Sequence, residues 1–323
     1  MQHIKIFYNF YTIDFFNLAK STILFQIRTF YKGIDVKTFY YVHTGHRIGL
    51  DRFRRAVAIL HTLEDTDITL LTSDYRIAQE AREFGIQKSV GIDVVRNIPQ
   101  IANNGDRLIF DSSEANPLML EDMRAYFSSF IRVSDAKEDS CFKGEALISP
   151  YLEGERIFHG VIVDECFFKT FQKSVAISYF FGDDDYEKDL QKHLDFVEGL
   201  DVHLQLGYYY FLDYEASLKE QFRQYYEFEE YATMIQESAI LITASPQAVL
   251  DSLATGAKPV YFQREDYTTE FVPLFESLNI PVINNYDKEA LQQALATINH
   301  RNYGKIEQNG NKVAKFIKEN LNL

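Results

Sequence analysis

His46 is the residue in this chain best equipped for chemistry. It stands in Thr44-Gly45-His46-Arg47, between an apolar run at Thr38–Val42 and a helical pattern at Asp51–Glu64. A neutral imidazole serves as a general base near neutral pH, and its protonated form stabilises a departing phosphate. Gly45 and Gly49 allow a tight turn. Arg47, Arg52, Arg54 and Arg55 follow closely, and with the N–H groups of the turn they suit an anionic ligand. His43 competes for the same role but lies nearer the strand end. The plain alternative is a surface turn whose arginines only solvate a helix.

Two more groups carry chemistry. In Phe181-Gly182-Asp183-Asp184-Asp185, Gly182 lets a ligand approach the backbone, and Asp183 or Asp184 is placed to cap the following helix. Three adjacent carboxylates suggest a metal only weakly, because no complementary ligand set accompanies them. In Thr243-Ala244-Ser245-Pro246-Gln247, a strand ends and a helix begins with Ser245 as N-cap and Pro246 at the first helical position. The N–H groups left in that first turn favour an anion. Asp251 follows about one and a half turns on, where its carboxylate could accept from a ribose diol. Gln263-Arg264 ends the next strand on the same rim. Helix capping with a surface Asp is the competing account of these residues.

Positioning such corners takes a parallel sheet, because ligands bind outside the carboxyl ends of its strands. From Lys37 onward, short apolar runs alternate with amphipathic helices, which predicts a sheet covered on both faces. Strands are predicted at Thr38–Val42, Ile68–Thr72, Arg107–Phe110 and Phe130–Val133, with Lys88–Val90 and Ala146–Ile148 as short additions. The rhythm lapses over Glu153–Phe171, where Pro150, Gly154 and Gly160 punctuate the chain. It restarts with strands at Val175–Phe180, Val202–Leu206, Ile240–Thr243, Pro259–Phe262 and Val282–Ile283. Helices are predicted at Asp74–Phe84, Leu118–Phe127, Tyr186–Glu198, Glu229–Glu237, Gln247–Ala254, Lys288–Ile298 and Lys305–Asn320. The fold class is therefore α/β, with two doubly wound, Rossmann-like domains facing a cleft. Residues 37–163 form the first domain, 164–304 the second, and 305–323 a closing helix. The tyrosines at Tyr208-Tyr209-Tyr210 and Tyr225-Tyr226 are expected to pack.

The 323 residues suffice for two cores. A formal net charge of −14 argues against nucleic acid as the partner, since a polyanion would be repelled. Cys141 and Cys166 have no metal-binding or redox spacing and point to a reducing, cytoplasmic setting. No apolar run reaches the length of a membrane span. Residues 1–36 are dense in Phe, Tyr and Ile and lack clean periodicity. They read either as an upstream extension ahead of the true domain start or as an added helix for a membrane surface or partner.

In this order the three groups resemble the UDP-sugar hydrolases of pseudaminic acid biosynthesis, and more distantly the transferase that adds N-acetylglucosamine to lipid I. The likeness runs from Lys37 to the end and implies the glycosyltransferase-B architecture. It implies that Thr44-Gly45-His46 is the catalytic turn, with His46 acting in catalysis and Thr44, Gly45 and Arg47 touching substrate. It implies that Asp111 ends a mid-domain strand at the site. Gly182-Asp183, Ser245, Gln247, Asp251 and Arg264 would then hold the nucleotide, without metal or cofactor. In this chain Gly49 replaces the arginine that follows the histidine in the family, and Ala244-Ser245-Pro246 replaces a Gly-Gly. Proline removes one phosphate donor. The implied activity is hydrolysis of a nucleotide-activated acetamido or deoxy sugar. Glycosyl transfer, or a non-catalytic relative of such enzymes, is the alternative.

Overall fold

Seven strands of the first half pair into one all-parallel sheet in the computed structural model, which describes residues 36–209 and 214–323. They are β1 (Thr38–Val42), β2 (Ile68–Thr72), β3 (Ser89–Gly91), β4 (Arg107–Asp111), β5 (Ser129–Val133), β6 (Ala146–Ser149) and β7 (Ile157–His159), in the order β3-β2-β1-β4-β5-β6-β7. Every residue of β1 is buried, as its unbroken Thr-Phe-Tyr-Tyr-Val run requires of a central strand covered on both faces. The order reverses between β1 and β4, so the His46 corner leaves the sheet at its switch point.

The second sheet is also parallel and has six strands. They are β8 (Val175–Phe180), β9 (His203–Gln205), β10 (Tyr225–Tyr226), β11 (Ser238–Thr243), β12 (Lys258–Gln263) and β13 (Val282–Asn284), ordered β10-β9-β8-β11-β12-β13. The helices are α1 (Asp51–His61), α2 (Tyr75–Glu80), α3 (Pro117–Tyr126), α4 (Asp189–Lys192), α5 (Glu215–Gln221), α6 (Tyr231–Glu237), α7 (Pro246–Ala254), α8 (Val272–Ser277), α9 (Lys288–Thr297) and α10 (Gly310–Leu321). Thr38–Leu323 folds as one compact unit. The last helix returns to the first half, where Val313, Ala314, Ile317 and Leu321 join the core around Ile131, Ile148 and Phe158. Residues 1–35 and Tyr210 lie outside the described residues, so the readings made of that leader are not addressed by the fold.

Several elements differ from the sequence expectation. The helix predicted at Tyr186–Glu198 shrinks to α4 and a 3-10 turn at Leu194–Val197. Asp185 takes the N–H groups of Asp189 and Leu190 on its carboxylate, and Lys188 turns left-handed at φ 58°, so the helix starts late. The final helix begins at Gly310 and not Lys305, after an irregular stretch. Strands β7 and β10 are only three and two residues long, too short for a periodic signal. Among the described residues, no helix is long and apolar enough to cross a membrane.

Candidate functional site

The corner after β1 is held from within. Thr44 is buried; its N–H donates to Ser73 Oγ (2.8 Å) and its hydroxyl to the Gly49 carbonyl (2.8 Å). Gly45 and Gly49 exchange backbone bonds, both at positive φ (152° and 87°), and a Cβ on Gly45 would sit 3.2 Å from Asp74 Oδ2. Glycine is thus required where the turn closes on Asp74. His46 and Arg47 project from this frame toward the second half. The His46 ring lies 5.6 Å from the Tyr186 ring, and the exposed Arg47 guanidinium stacks on the same ring at 3.9 Å. His43 is tied aside, with Nδ1 3.0 Å from Ser113 Oγ.

The arginines of α1 do not form the open cationic rim expected of them. Helix α1 is buried from Phe53 to Leu60, arginines included. Arg55 bridges two acids, donating to Asp111 (2.9 and 2.7 Å) and to Asp135. Asp111 also accepts from Tyr40 and is wholly buried, so it stands as an internal anchor and not as an open ligand group. Arg54 crosses to the second half, pairs with Asp183 and stacks on Tyr231 at 3.9 Å. Arg52 remains at the edge, 3.7 Å from Asp111. Beside it a cavity of about 520 Å³ is lined by Ser112, Asn116, Arg132, Phe142 and Glu270, a volume that suits a small ligand.

The three aspartates after β8 divide their work. Asp183 takes Arg54 and the Tyr208 N–H, Asp184 takes Arg264 (2.8 Å), and Asp185 starts α4. The capping role expected of Asp183 or Asp184 therefore falls to Asp185. Burial raises the carboxyls of Asp184 and Asp185 against these bonds. Gly182 sits at φ 129° and its carbonyl accepts from Tyr209.

Ser245 caps α7 as expected, accepting from the Ala248 N–H at 3.1 Å, with Pro246 next. Its hydroxyl also donates to Asp51 Oδ1 (2.5 Å), while Tyr267 donates to Asp51 Oδ2 (3.0 Å). A carboxylate from the first half therefore stands against the first turn of α7. Burial pushes Asp51 up to about 6, opposed by the Ser245 bond. Asp251 is not at an open rim. It is 2% exposed, accepts from Tyr231 and Gln247 (both 2.8 Å), and burial lifts it to about 7. Gln247 spends its amide on Asp251 and the Ile162 carbonyl. Arg264 is 3% exposed and is shared between Asp184 and Asp266.

The carboxyl edges of the two sheets thus meet at His46, Asp51 and Arg54 of the first half and Tyr186, Asp183 and Ser245 of the second. Solved structures share the fold. The UDP-GlcNAc 2-epimerase of Methanocaldococcus jannaschii, solved with UDP-GlcNAc and UDP, aligns at TM-score 0.58 and 12% identity over 88% of this chain and 99% of that one. The spinosyn forosaminyltransferase SpnP aligns at 0.52 and 8% identity (89% and 96%), and Acinetobacter baumannii MurG at 0.51 and 11% (88% and 100%). The fold is of the glycosyltransferase-B type. No protein-family model and no curated protein sequence matches the chain.

Within this glycosyltransferase-B frame, the residues that sequence reasoning missed are Asp51, Asp74, Arg76 and Tyr186. Asp74 is the N-cap of α2 and accepts from the backbone and side chain of Arg76. Burial alone would raise its carboxyl, but the Arg76 bonds outweigh burial and hold it below the ordinary range. Only the Ser-Asp-x-Arg pattern before a helix signals this pair; nothing in it points to His46, 28 residues earlier.

Proposed function

We propose that this chain is an enzyme acting on a nucleotide-activated sugar, most simply a hydrolase that releases an acetamido or deoxy sugar from UDP or another nucleoside diphosphate. The observation that carries the reading is the meeting of His46 and Arg47 with Tyr186 where the carboxyl edges of both sheets converge. His46 assists departure of the diphosphate, and Arg47 neutralises charge on it. The sugar occupies the cavity beside Arg52. The nucleotide lies along the second half near Gly182 and Ser245, with Arg264 and the buried Gln247–Asp251 pair shaping its bed. Electrostatics of this kind need no metal. The solved relatives that act on UDP-sugars support the reading through fold alone.

A second reading is favoured by one contact. Asp51 seated on Ser245, beside a proline without an N–H, suits a relative that has given up phosphate binding. A thermal-shift panel of UDP, CMP, GDP and their sugar conjugates separates the two. A ligand at a hundred times its Kd stabilises by about 2.7 kcal/mol. A shift with one nucleotide that survives in His46→Ala, together with loss of sugar release, supports the enzyme. No shift with any nucleotide in folded protein supports the silent relative. Assaying sugar release with and without an added acceptor glycan then distinguishes hydrolysis from transfer.

A further inference from the structure

Among the described residues, His46 Nδ1 lies near two polar groups of opposite character. Arg76 Nη2 lies 2.6 Å away and Asp74 Oδ2 3.4 Å away. A guanidinium only donates, and a neutral imidazole bears a hydrogen on one nitrogen. If Nδ1 carried that hydrogen, it would face an N–H at 2.6 Å in exchange for a bond to Asp74 at the outer limit of length. The shorter contact favours Nδ1 as the acceptor, with the hydrogen on Nε2.

The remaining bonds agree with this assignment. Arg76 Nη2 lies 2.7 Å from Asp74 Oδ2 and 2.6 Å from His46 Nδ1, so its two hydrogens can serve both. Asp74 Oδ1 takes the Nε–H (3.0 Å) and the backbone N–H (2.9 Å) of Arg76. Asp74 takes three of its bonds from Arg76 and only a 3.4 Å contact from His46, so the order Asp74–Arg76–His46 fits the distances better than a His–Asp dyad. The arginine is fixed by its fork on Asp74, and Gly45 keeps the turn close enough for contact.

We propose that Arg76 is a positioning residue that holds His46 as the neutral Nε2–H tautomer. Resting on the functional reading above, this makes His46 a hydrogen-bond donor to the departing phosphate oxygen or to a sugar oxygen, and removes it as the base that activates water. His46 stabilises developing negative charge and gives up no proton at Nδ1. A dyad with Asp74 would have placed the hydrogen on Nδ1 and left Nε2 as the base.

The test is nitrogen NMR of the full chain labelled with ¹⁵N-histidine at neutral pH, with His46 assigned by the resonances lost in His46→Gln. The expected result is an unprotonated Nδ1 and a protonated Nε2. In Arg76→Gln both resonances move toward the opposite tautomer, and in Arg76→Lys, which restores a cationic donor, they move back. A protonated Nδ1 in the wild type overturns the assignment whether or not any variant folds, as does an unchanged pair of resonances in a folded Arg76→Gln. The readout needs no nucleotide. An unprotonated Nδ1 in a protein that binds no nucleotide would sink the functional reading and leave the role of Arg76 standing.

Discussion

Asp251 shows what burial does to one residue whose type suggested an open ligand contact. In the fold it accepts from Tyr231 and Gln247, and burial lifts its carboxyl to about 7. Between about pH 4 and 7 the folded chain therefore keeps a proton that the unfolded chain, with an ordinary carboxyl near 3.9, has lost. Folding stability falls as pH rises through that window, because the native state binds more protons there. Asp51, lifted to about 6, acts with the same sign. Asn at position 251 can accept from Gln247 and donate to the Tyr231 oxygen, so Asp251→Asn keeps both partners without the buried charge. Melting curves should show the variant gaining on the wild type from pH 5 to pH 8, by on the order of a few kcal/mol at most. A gap that does not change with pH would mean that Asp251 is not held protonated.

At the scale of elements, the starts of α1 and α7 are fastened to each other. Ser245 both caps α7 and donates to Asp51, the first residue of α1. Loss of an N-cap hydroxyl costs about 1 kcal/mol. Ser245→Ala should therefore cost at least that in urea unfolding. Combined with Asp51→Asn, it should show a coupling of about 0.5 kcal/mol or more, since contacting residues are not additive. Additive effects would mean that the two helix starts stand apart. The Ser245-Pro246 start was legible because a cap and an N1 proline are local signals. The parallel sheets were legible for the same reason, through apolar runs such as Thr-Phe-Tyr-Tyr-Val spaced by amphipathic helices. The Asp51 contact was not, because its partner lies 194 residues away and nothing local marks it. The arginines of α1 misled in the same way. Their spacing describes a cationic helix, and only the tertiary fold reveals that Arg54 and Arg55 are already matched to Asp183, Asp111 and Asp135.

For the molecule as a whole, the Arg54–Asp183 pair is the ion pair of this set that crosses between the two halves. Each half owns a sheet with apolar layers on it, and either could gain cooperativity separately. Arg54 lies between them. Its guanidinium leaves α1, pairs with Asp183 after β8 and stacks on Tyr231 of α6, while Tyr208 and Phe228 of the second half join the core around Phe53. Replacing Arg54 with Met keeps length and apolar bulk but leaves Asp183, 3% exposed, without its cation. Removing one partner of a buried pair costs about 3–5 kcal/mol. That cost falls on the junction and not within either sheet. Calorimetry should therefore show one transition in the wild type and, in Arg54→Met, a lower first transition separating from a second. Adding Asp183→Asn removes the stranded charge, keeps an acceptor for the Tyr208 N–H, and should recover much of the loss. If Arg54→Met melts in one transition at the wild-type temperature, apolar packing and the Asp51 bonds to Ser245 and Tyr267 join the halves, and the buried pair contributes nothing to their coupling.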